Sequence, residues 1–244
     1  MQEKRTMWSE LRDLTDDVDL GTPPRAGDLV RLTVDDVSVS VPRGSSVMLA
    51  AARAGRSVPK LCATDTLEAF GSCRVCLVEI DGMRGYPASC TTLVAEGMVV
   101  RTRSEALTRL RKGVLELYLS DFPAGDVPDG WSELHEVLAE VGVHSHPYHG
   151  GQDHLDSPVD LSNPYFLFDP AKCIVCSRCV RACEEIQGTF ALTIQGRGFA
   201  SKVAAGQDEP FFESECVSCG ACVQTCPTQA LVEKSLFETE YQRG

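Results

Sequence analysis

The strongest constraint on this chain is a pair of cysteine runs near its carboxyl end. Cys173-x2-Cys176-x2-Cys179-x3-Cys183 is followed by Cys216-x2-Cys219-x2-Cys222-x3-Cys226-Pro227. Eight thiols at two identical spacings, the second closed by proline, are the ligand pattern of two [4Fe-4S] clusters. Three cysteines of each run wrap one cluster while the fourth points into the neighbouring one, so we expect crossed ligand sets. The first set is Cys173, Cys176, Cys179 and Cys226, and the second is Cys183, Cys216, Cys219 and Cys222. Disulfides or zinc are the alternative, although zinc sites use two CxxC pairs rather than two runs of four.

The other four of the twelve cysteines form an upstream set, Cys62-x10-Cys73-x2-Cys76-x13-Cys90. One short step with a distant ligand on each side suits a [2Fe-2S] cluster in a long loop, although the first gap exceeds the plant-type spacing. Gly71 supplies a flexible position where the backbone must pass close to the cluster and donate N–H groups to its sulfurs. A zinc site built from these four ligands is the alternative.

Composition limits the partners of the chain. The formal charge of −12, from 35 acidic and 23 basic residues, repels phosphate backbones and anionic lipid headgroups, so we expect neither nucleic acid nor membrane as a partner. No apolar run is long enough for a signal peptide or a membrane span, which predicts a cytoplasmic location where thiols stay reduced. With 43% hydrophobic residues the chain can form real cores, and we expect an α+β protein of two or three small domains.

The amino-terminal half predicts a β-grasp ferredoxin domain. Residues 1–28 read as an arm and linker, and residues 29–100 as the domain that carries the [2Fe-2S] set. Alternating residues from Leu29 to Val41, with a turn at Asp35-Asp36, predict a hairpin. Ser45 or Ser46 can cap a helix that runs through Ala54, and a further strand is predicted over Val75–Ile80.

A small helical segment is predicted next, over residues 101–142, with helices at Ser104–Ser120 and Trp131–Val141. The apolar stripe expected on its first helix is Leu107, Leu110, Val114, Leu117 and Tyr118. Residues 143–164 read as a histidine-rich strap, 165–235 as the two-cluster ferredoxin domain and 236–244 as a tail. An alternating piece at Thr189–Ile194, before glycines, predicts a hairpin inserted between the two cysteine runs.

The residues between the cysteines carry a more specific resemblance. The blocks Lys60–Asp65, Phe70–Glu79 and Cys173–Glu185, continued by Gln187–Ile194 and Glu215–Pro227, closely resemble the amino-terminal part of the α subunit of cytosolic NAD-dependent formate dehydrogenases containing molybdenum or tungsten. The resemblance covers most of residues 22–235. More distantly, the chain is similar to the iron-sulfur subunit of NAD-reducing nickel-iron hydrogenases and to the large iron-sulfur subunit of respiratory complex I.

The resemblance implies an electron relay without catalytic residues of its own. In these families the module passes electrons between a catalytic metal centre and a flavin/NAD subunit. Formate dehydrogenase α subunits continue into a large molybdopterin domain, whereas this sequence ends at Gly244. We therefore expect the molybdopterin part on a separate polypeptide, with a flavin/NAD-binding subunit as the second partner. A nickel-iron hydrogenase subunit and a redox-sensing or assembly module with labile clusters are the alternatives.

The resemblance breaks down in the helical segment. There the formate dehydrogenases hold a further [4Fe-4S] cluster with one histidine and three cysteines, after a Ser-Asp-His-Pro-like sequence. This chain has Phe122 in place of the histidine, no cysteine from Ala124 to Trp131, and Ser132-Glu133-Leu134-His135 where a Cys-Glu-Leu-Gln sequence would end the motif. We expect that cluster to be absent, because oxygen ligands and a displaced histidine replace thiolates poorly. The helices would then persist as packing between the two ferredoxin-like domains.

Two groups of residues keep two interpretations each. The five histidines, His135, His144, His146, His149 and His154, either bind a metal or form a solvated, pH-sensitive strap. Three arginines beside the cysteines, Arg74, Arg178 and Arg181, either raise cluster potentials or are exposed side chains without such a role.

Overall fold

The computed structural model describes residues 28–123, 132–148 and 157–236. The amino-terminal arm, the Ala124–Trp131 part of the missing-cluster motif, His149, His154 and the tail after residue 236 lie outside the described residues.

The first domain is a four-stranded mixed sheet with a helix packed on it. Its strands are β1 (Leu29–Val34), β2 (Val37–Pro42), β3 (Glu79–Ile80) and β4 (Val99–Arg101), in the order β2-β1-β4-β3. The predicted hairpin is present: β1 pairs antiparallel with β2, while β4 lies parallel to β1 and antiparallel to β3. Asp35 and Asp36 both have positive φ, at 44° and 68°, as the tightest two-residue hairpin turn requires.

Helix α1 (Val47–Arg53) crosses this sheet and buries Val47 to Ala51. The Ser46 side chain caps it by accepting a hydrogen bond from the backbone N–H of Leu49 at 3.1 Å. Hairpin, crossing helix and parallel return strand form the β-grasp arrangement.

The strand predicted over Val75–Ile80 is wrong for most of its length. Only Glu79–Ile80 pairs as a strand, preceded by an isolated bridge between Leu77 and Ala88. Arg74 has φ 56°, so the backbone turns sharply after Cys73 instead of extending. The apolar run Val75–Val78 is buried throughout, which here reflects a loop enclosed by the core rather than a pleated strand.

The two predicted helices of the middle segment are α2 (Glu105–Ser120) and α3 (Glu133–Val141), each capped by the serine that precedes it. The stripe predicted on α2 is partly wrong, because Leu117 is exposed. The buried face of α2 follows Leu107, Arg111, Leu115 and Leu119. Sequence periodicity missed it because one of its four positions carries a charge.

The last domain contains two antiparallel strand pairs, short α-helices and single helical turns. In chain order its elements are β5 (Phe166–Phe168), α4 (Arg178–Ala182), β6 (Leu192–Gln195), β7 (Lys202–Ala205), α5 (Ala221–Thr225) and β8 (Leu231–Glu233). Strand β5 pairs with β8, and β6 with β7, both antiparallel. The inserted hairpin is therefore present, but its strand starts at Leu192 rather than Thr189, since Phe190 has φ 58°. Within the described ranges, every helix is too short or too polar to span a lipid bilayer.

Candidate iron-sulfur sites

The first candidate site is the loop that follows α1. All four predicted ligands, Cys62, Cys73, Cys76 and Cys90, are buried. The backbone N–H of Cys73 donates to Cys62 Sγ at 3.4 Å. Hydrogen bonds from the thiols of Cys73 and Cys90 lower the pKa of Cys62, and a hydrogen bond from Cys90 lowers that of Cys76. The structure thus brings these four sulfurs into one interacting group.

Backbone shape and neighbouring hydroxyls hold this loop. Gly71 has φ +72°, and a Cβ placed on it would lie 3.2 Å from Thr91 Cγ2 and 3.3 Å from Thr91 Oγ1. Ser89 donates through both its hydroxyl and its backbone N–H to the Cys76 carbonyl, each at 2.9 Å. The backbone at Gly71 therefore lies close to Thr91, and its predicted approach to the cluster stays a prediction.

The second candidate site is a small cavity in the last domain. It is lined by Cys173, Cys176, Cys179 and Cys226, together with apolar side chains and Arg178. Backbone N–H groups point at its sulfurs, with Val175 donating to Cys173 Sγ at 3.4 Å and Leu231 to Cys226 Sγ at 3.5 Å. Three cysteines of the first run and the last cysteine of the second therefore face one space.

The third candidate site is a small cavity whose lining residues include Cys183, Cys216, Cys219 and Cys222. Ala191 donates its backbone N–H to Cys183 Sγ at 3.3 Å, and Ser218 donates to Cys216 Sγ at 3.4 Å. All twelve cysteines lie among the described residues, and Cys219 is the exposed one among them. Cys222 of this cavity is buried, as are Cys176 and Cys179 of the other.

The two cysteine runs repeat the same backbone. Val175 and Ser177 have φ 51° and 66°, and the matching positions Ser218 and Gly220 have φ 56° and 78°. Left-handed residues alternating with ordinary ones turn successive N–H groups into a concave nest that binds anions. Valine rarely adopts this conformation, and such strain is found at functional sites. Thiols grouped around a cavity, with N–H donors on their sulfurs, fit iron-sulfur clusters.

Burial controls the chemistry of these thiols. It raises the pKa of Cys176 to about 12, against the opposing charge of Arg178. Burial, with the charges of Cys216 and Cys219, raises the pKa of Cys222 to about 12. Iron would displace these protons, because a thiol binds metal as thiolate. Among the described residues, no three His, Cys, Asp or Glu are grouped as a single metal ion would require.

The helical segment packs against cysteines of two of these sites, the [2Fe-2S] set and the first [4Fe-4S] set. One hydrophobic core contains Cys62, Cys73 and Cys176 together with residues of α2 and α3. Phe122, which stands where the resembling family has its histidine ligand, is buried in that core. Residues of α2 and α3 thus pack against cysteines of both the [2Fe-2S] set and the first [4Fe-4S] set.

Sequence reasoning missed buried arginines. Arg178 and Arg181 are buried, which corrects the interpretation of them as exposed side chains, while Arg74 is exposed and donates to the Tyr86 carbonyl at 3.2 Å. Arg111 on α2 donates to the carbonyls of Leu77 and Thr102 at 2.6 and 3.0 Å. The sequence signal that could have indicated burial of Arg111 is its position four residues from both Leu107 and Leu115, on an otherwise apolar stripe.

Comparison with known proteins agrees with the two ferredoxin-like domains. The family described as "2Fe-2S iron-sulfur cluster binding domain" matches residues 27–105, and the "4Fe-4S dicluster domain" family matches residues 172–230. A chain in the crystal structure of the NAD+-reducing [NiFe]-hydrogenase in the H2-reduced state superimposes with a TM-score of 0.73 at 30% identity. The match covers 84% of this chain and 88% of that one.

The chain belongs to the iron-sulfur family of complex I and NAD(P)-linked hydrogenases. Curated members of this family agree. The NADP-reducing hydrogenase subunit HndD of Solidesulfovibrio fructosivorans is 37% identical over 84% of this chain and 36% of its own length. A subunit of the NADH-quinone oxidoreductase of Mycobacterium tuberculosis is 36% identical over 88% of this chain and 26% of its own length. This member therefore spans about a quarter to a third of the length of those relatives.

Proposed function

We propose that this chain relays electrons between a molybdopterin subunit that oxidises formate and a flavin/NAD subunit of an NAD-dependent formate dehydrogenase complex. Electrons leave formate in pairs and pass singly through two [4Fe-4S] clusters and one [2Fe-2S] cluster. The protein supplies ligation, spacing and local dielectric, while the clusters supply the redox chemistry. The two crossed sets and the Cys62, Cys73, Cys76 and Cys90 set are the proposed ligands.

One observation carries this proposal. Cys62 and Cys73 of the [2Fe-2S] set lie in the same hydrophobic core as Cys176 of the first [4Fe-4S] set. Sites that only sensed redox state would not need to share a core, whereas a relay needs its centres close and fixed. The low dielectric of such a core also limits the reorganisation that accompanies each transfer.

The sequence blocks between the cysteines favour formate as the electron source, since they resemble formate dehydrogenases more closely than hydrogenases. A hydrogenase subunit is the second candidate, and the match to most of a chain of the NAD+-reducing [NiFe]-hydrogenase favours it. A molybdopterin subunit would pair with the first role and a nickel-iron subunit with the second.

Purification of the native complex through a tag on this chain tests the proposal. We expect molybdopterin and flavin subunits to co-purify, and the complex to reduce NAD with formate. A Cys73→Ala or Cys176→Ala variant should abolish NAD reduction but preserve reduction of a dye that accepts electrons at the catalytic subunit. A complex that reduces NAD with hydrogen but not with formate would show that hydrogen, rather than formate, is the electron donor. A chain that purifies without either partner would contradict the relay role.

A further inference from the structure

The two cysteine runs share a backbone but differ in charge. Aligned on their cysteines, Arg178 of the first run corresponds to Ala221 of the second, and Arg181 corresponds to Gln224. Both arginines lie on α4. Cys179 on this helix belongs to the first candidate [4Fe-4S] set, and Cys183, which directly follows the helix, belongs to the second. The repeat therefore contains its own comparison: the first run carries two buried arginines, of which Arg178 lines the first cavity, and the second run has no charged residue at the matching positions.

Arg178 connects four parts of the molecule. Its side chain is only 2% exposed, and its Nη atoms reach Glu133 Oε1 at 2.8 Å and Oε2 at 2.7 Å. The same guanidinium donates to the Ala63 carbonyl of the [2Fe-2S] loop at 3.0 Å and to the Thr225 carbonyl of α5 at 3.1 Å. Its Nε has no acceptor among the described residues, which leaves one N–H available beside the cavity that Arg178 lines.

Arg181 binds the residue next to the one that Arg178 binds in the [2Fe-2S] loop. Its Nη2 donates to the Cys62 carbonyl at 2.7 Å, one residue before the carbonyl that Arg178 holds. Glu185, one turn later, lies 3.8 Å from Arg181 Nη1 and accepts the backbone N–H of Glu68 at 2.8 Å. One helix thus fixes the ligand loop of the [2Fe-2S] site by consecutive carbonyls.

We propose that Arg178 and Arg181 are positioning residues that lock the [2Fe-2S] loop onto the first [4Fe-4S] site, and that the Arg178 charge selectively raises the reduction potential of that site. The proposal rests on the cluster ligation proposed above but not on the identity of the partners. The other cavity, which holds the second [4Fe-4S] set with Cys183 and Cys216, has no charged side chain among the described residues that line it.

The selectivity follows from electrostatics. Reduction adds one electron, and hence one negative charge, to a cluster, and a cation in a low-dielectric surrounding stabilises that charge. Burial of the first site alone would lower its potential, since water no longer solvates the added charge. Arg178 offsets this burial, while the half-exposed carboxylate of Glu133 neutralises part of the guanidinium charge.

Redox titration of the anaerobically reconstituted full chain, followed by electron paramagnetic resonance, tests the charge effect. Arg178→Gln should lower the potential of the first [4Fe-4S] cluster by about 59 mV, which is tenfold in its one-electron equilibrium, and leave the second unchanged. Glu133→Gln should shift the first potential upward, and Arg178→Lys should restore most of the wild-type value. Arg101→Gln is the matched control: it removes the same charge from an exposed ion pair with Asp81 and should move neither potential.

The locking effect has a separate readout in the magnetic interaction between the reduced [2Fe-2S] and first [4Fe-4S] clusters. Arg181→Ala should weaken this interaction, and Arg181→Lys should recover it by donating to the Cys62 carbonyl. Equal shifts of both [4Fe-4S] potentials, shifts of the same sign in Arg178→Gln and Glu133→Gln, or an unchanged interaction in Arg181→Ala would overturn the inference alone. A wild-type chain that assembles no [4Fe-4S] signals would overturn the proposed ligation as well.

Discussion

The Tyr118 hydroxyl donates a hydrogen bond to the carbonyl oxygen of Cys73 at 3.0 Å. Burial raises the pKa of this phenol, so it remains a neutral donor throughout the physiological range. Helix α2 therefore contacts the [2Fe-2S] loop directly through a polar bond as well as through its apolar face. The helical segment has a structural role that does not require a cluster of its own.

Cofactor content tests the number of sites. Two irons in the β-grasp domain and four in each cysteine-lined cavity give ~10 irons and as many sulfides per chain. Iron and acid-labile sulfide analysis of the anaerobically isolated chain checks this number. About 14 irons would show that the helical segment holds a further [4Fe-4S] cluster. Cys76→Ala should remove only the [2Fe-2S] signal, and loss of every signal would mean that the domains assemble as one unit.

Paired alanine variants test the crossed ligand sets. Because Cys183 faces the cavity of Cys216, Cys219 and Cys222, Cys183→Ala and Cys219→Ala should damage the same paramagnetic species. Cys226→Ala should damage the other species, together with Cys173→Ala. A Cys183→Ala spectrum that matches that of Cys173→Ala would show instead that each run holds its own cluster.

The corrected face of α2 makes a stability prediction. Leu115 is fully buried and Leu117 is exposed on the same helix, so the two positions form a matched pair. Leu115→Ala should lower the free energy of unfolding by about 2–5 kcal/mol, since it removes buried methyl groups and leaves a cavity. Leu117→Ala should change it by less than about 0.5 kcal/mol. Denaturant titration of both variants checks the difference, and equal losses would contradict the observed orientation of α2.

Gly71 makes a prediction about the [2Fe-2S] loop. Gly71→Ala combines a left-handed backbone with a close approach to Thr91, so it should destabilise the loop and reduce [2Fe-2S] occupancy. Gly82→Ala is the control, because Gly82 has φ +78° but nothing within 4 Å of an added Cβ. Iron retention at rising temperature compares the two. Equal behaviour would mean that backbone strain alone, rather than the contact with Thr91, limits position 71.

Features encoded over short stretches were predictable from the sequence. The β1–β2 hairpin and the Ser104 cap of α2 depend on neighbours within a few residues. The spacing of the cysteines within each run is likewise a local pattern. The grouping of Cys183 with the second run was also expected, because the position of the fourth cysteine in each run favours crossing.

Long-range polar contacts were not predictable in the same way. Arg178 finds its Ala63 acceptor 115 positions away in the sequence, and no local pattern marks such a pair. Burial of a cation depends on which carbonyls the tertiary fold leaves without partners. The apolar run from Val75 likewise suggested a strand, because burial of a loop by the tertiary fold leaves the same local pattern as a buried strand.

The sharing of cysteines between the two cavities has a consequence for biosynthesis. The first cavity draws Cys226 from the second run, and the second draws Cys183 from the first. A nascent chain therefore has the cysteines of the second cavity complete only after residue 222, and those of the first only after residue 226. A product truncated before residue 222 would present only partial ligand sets, although it already contains the whole first run of four cysteines.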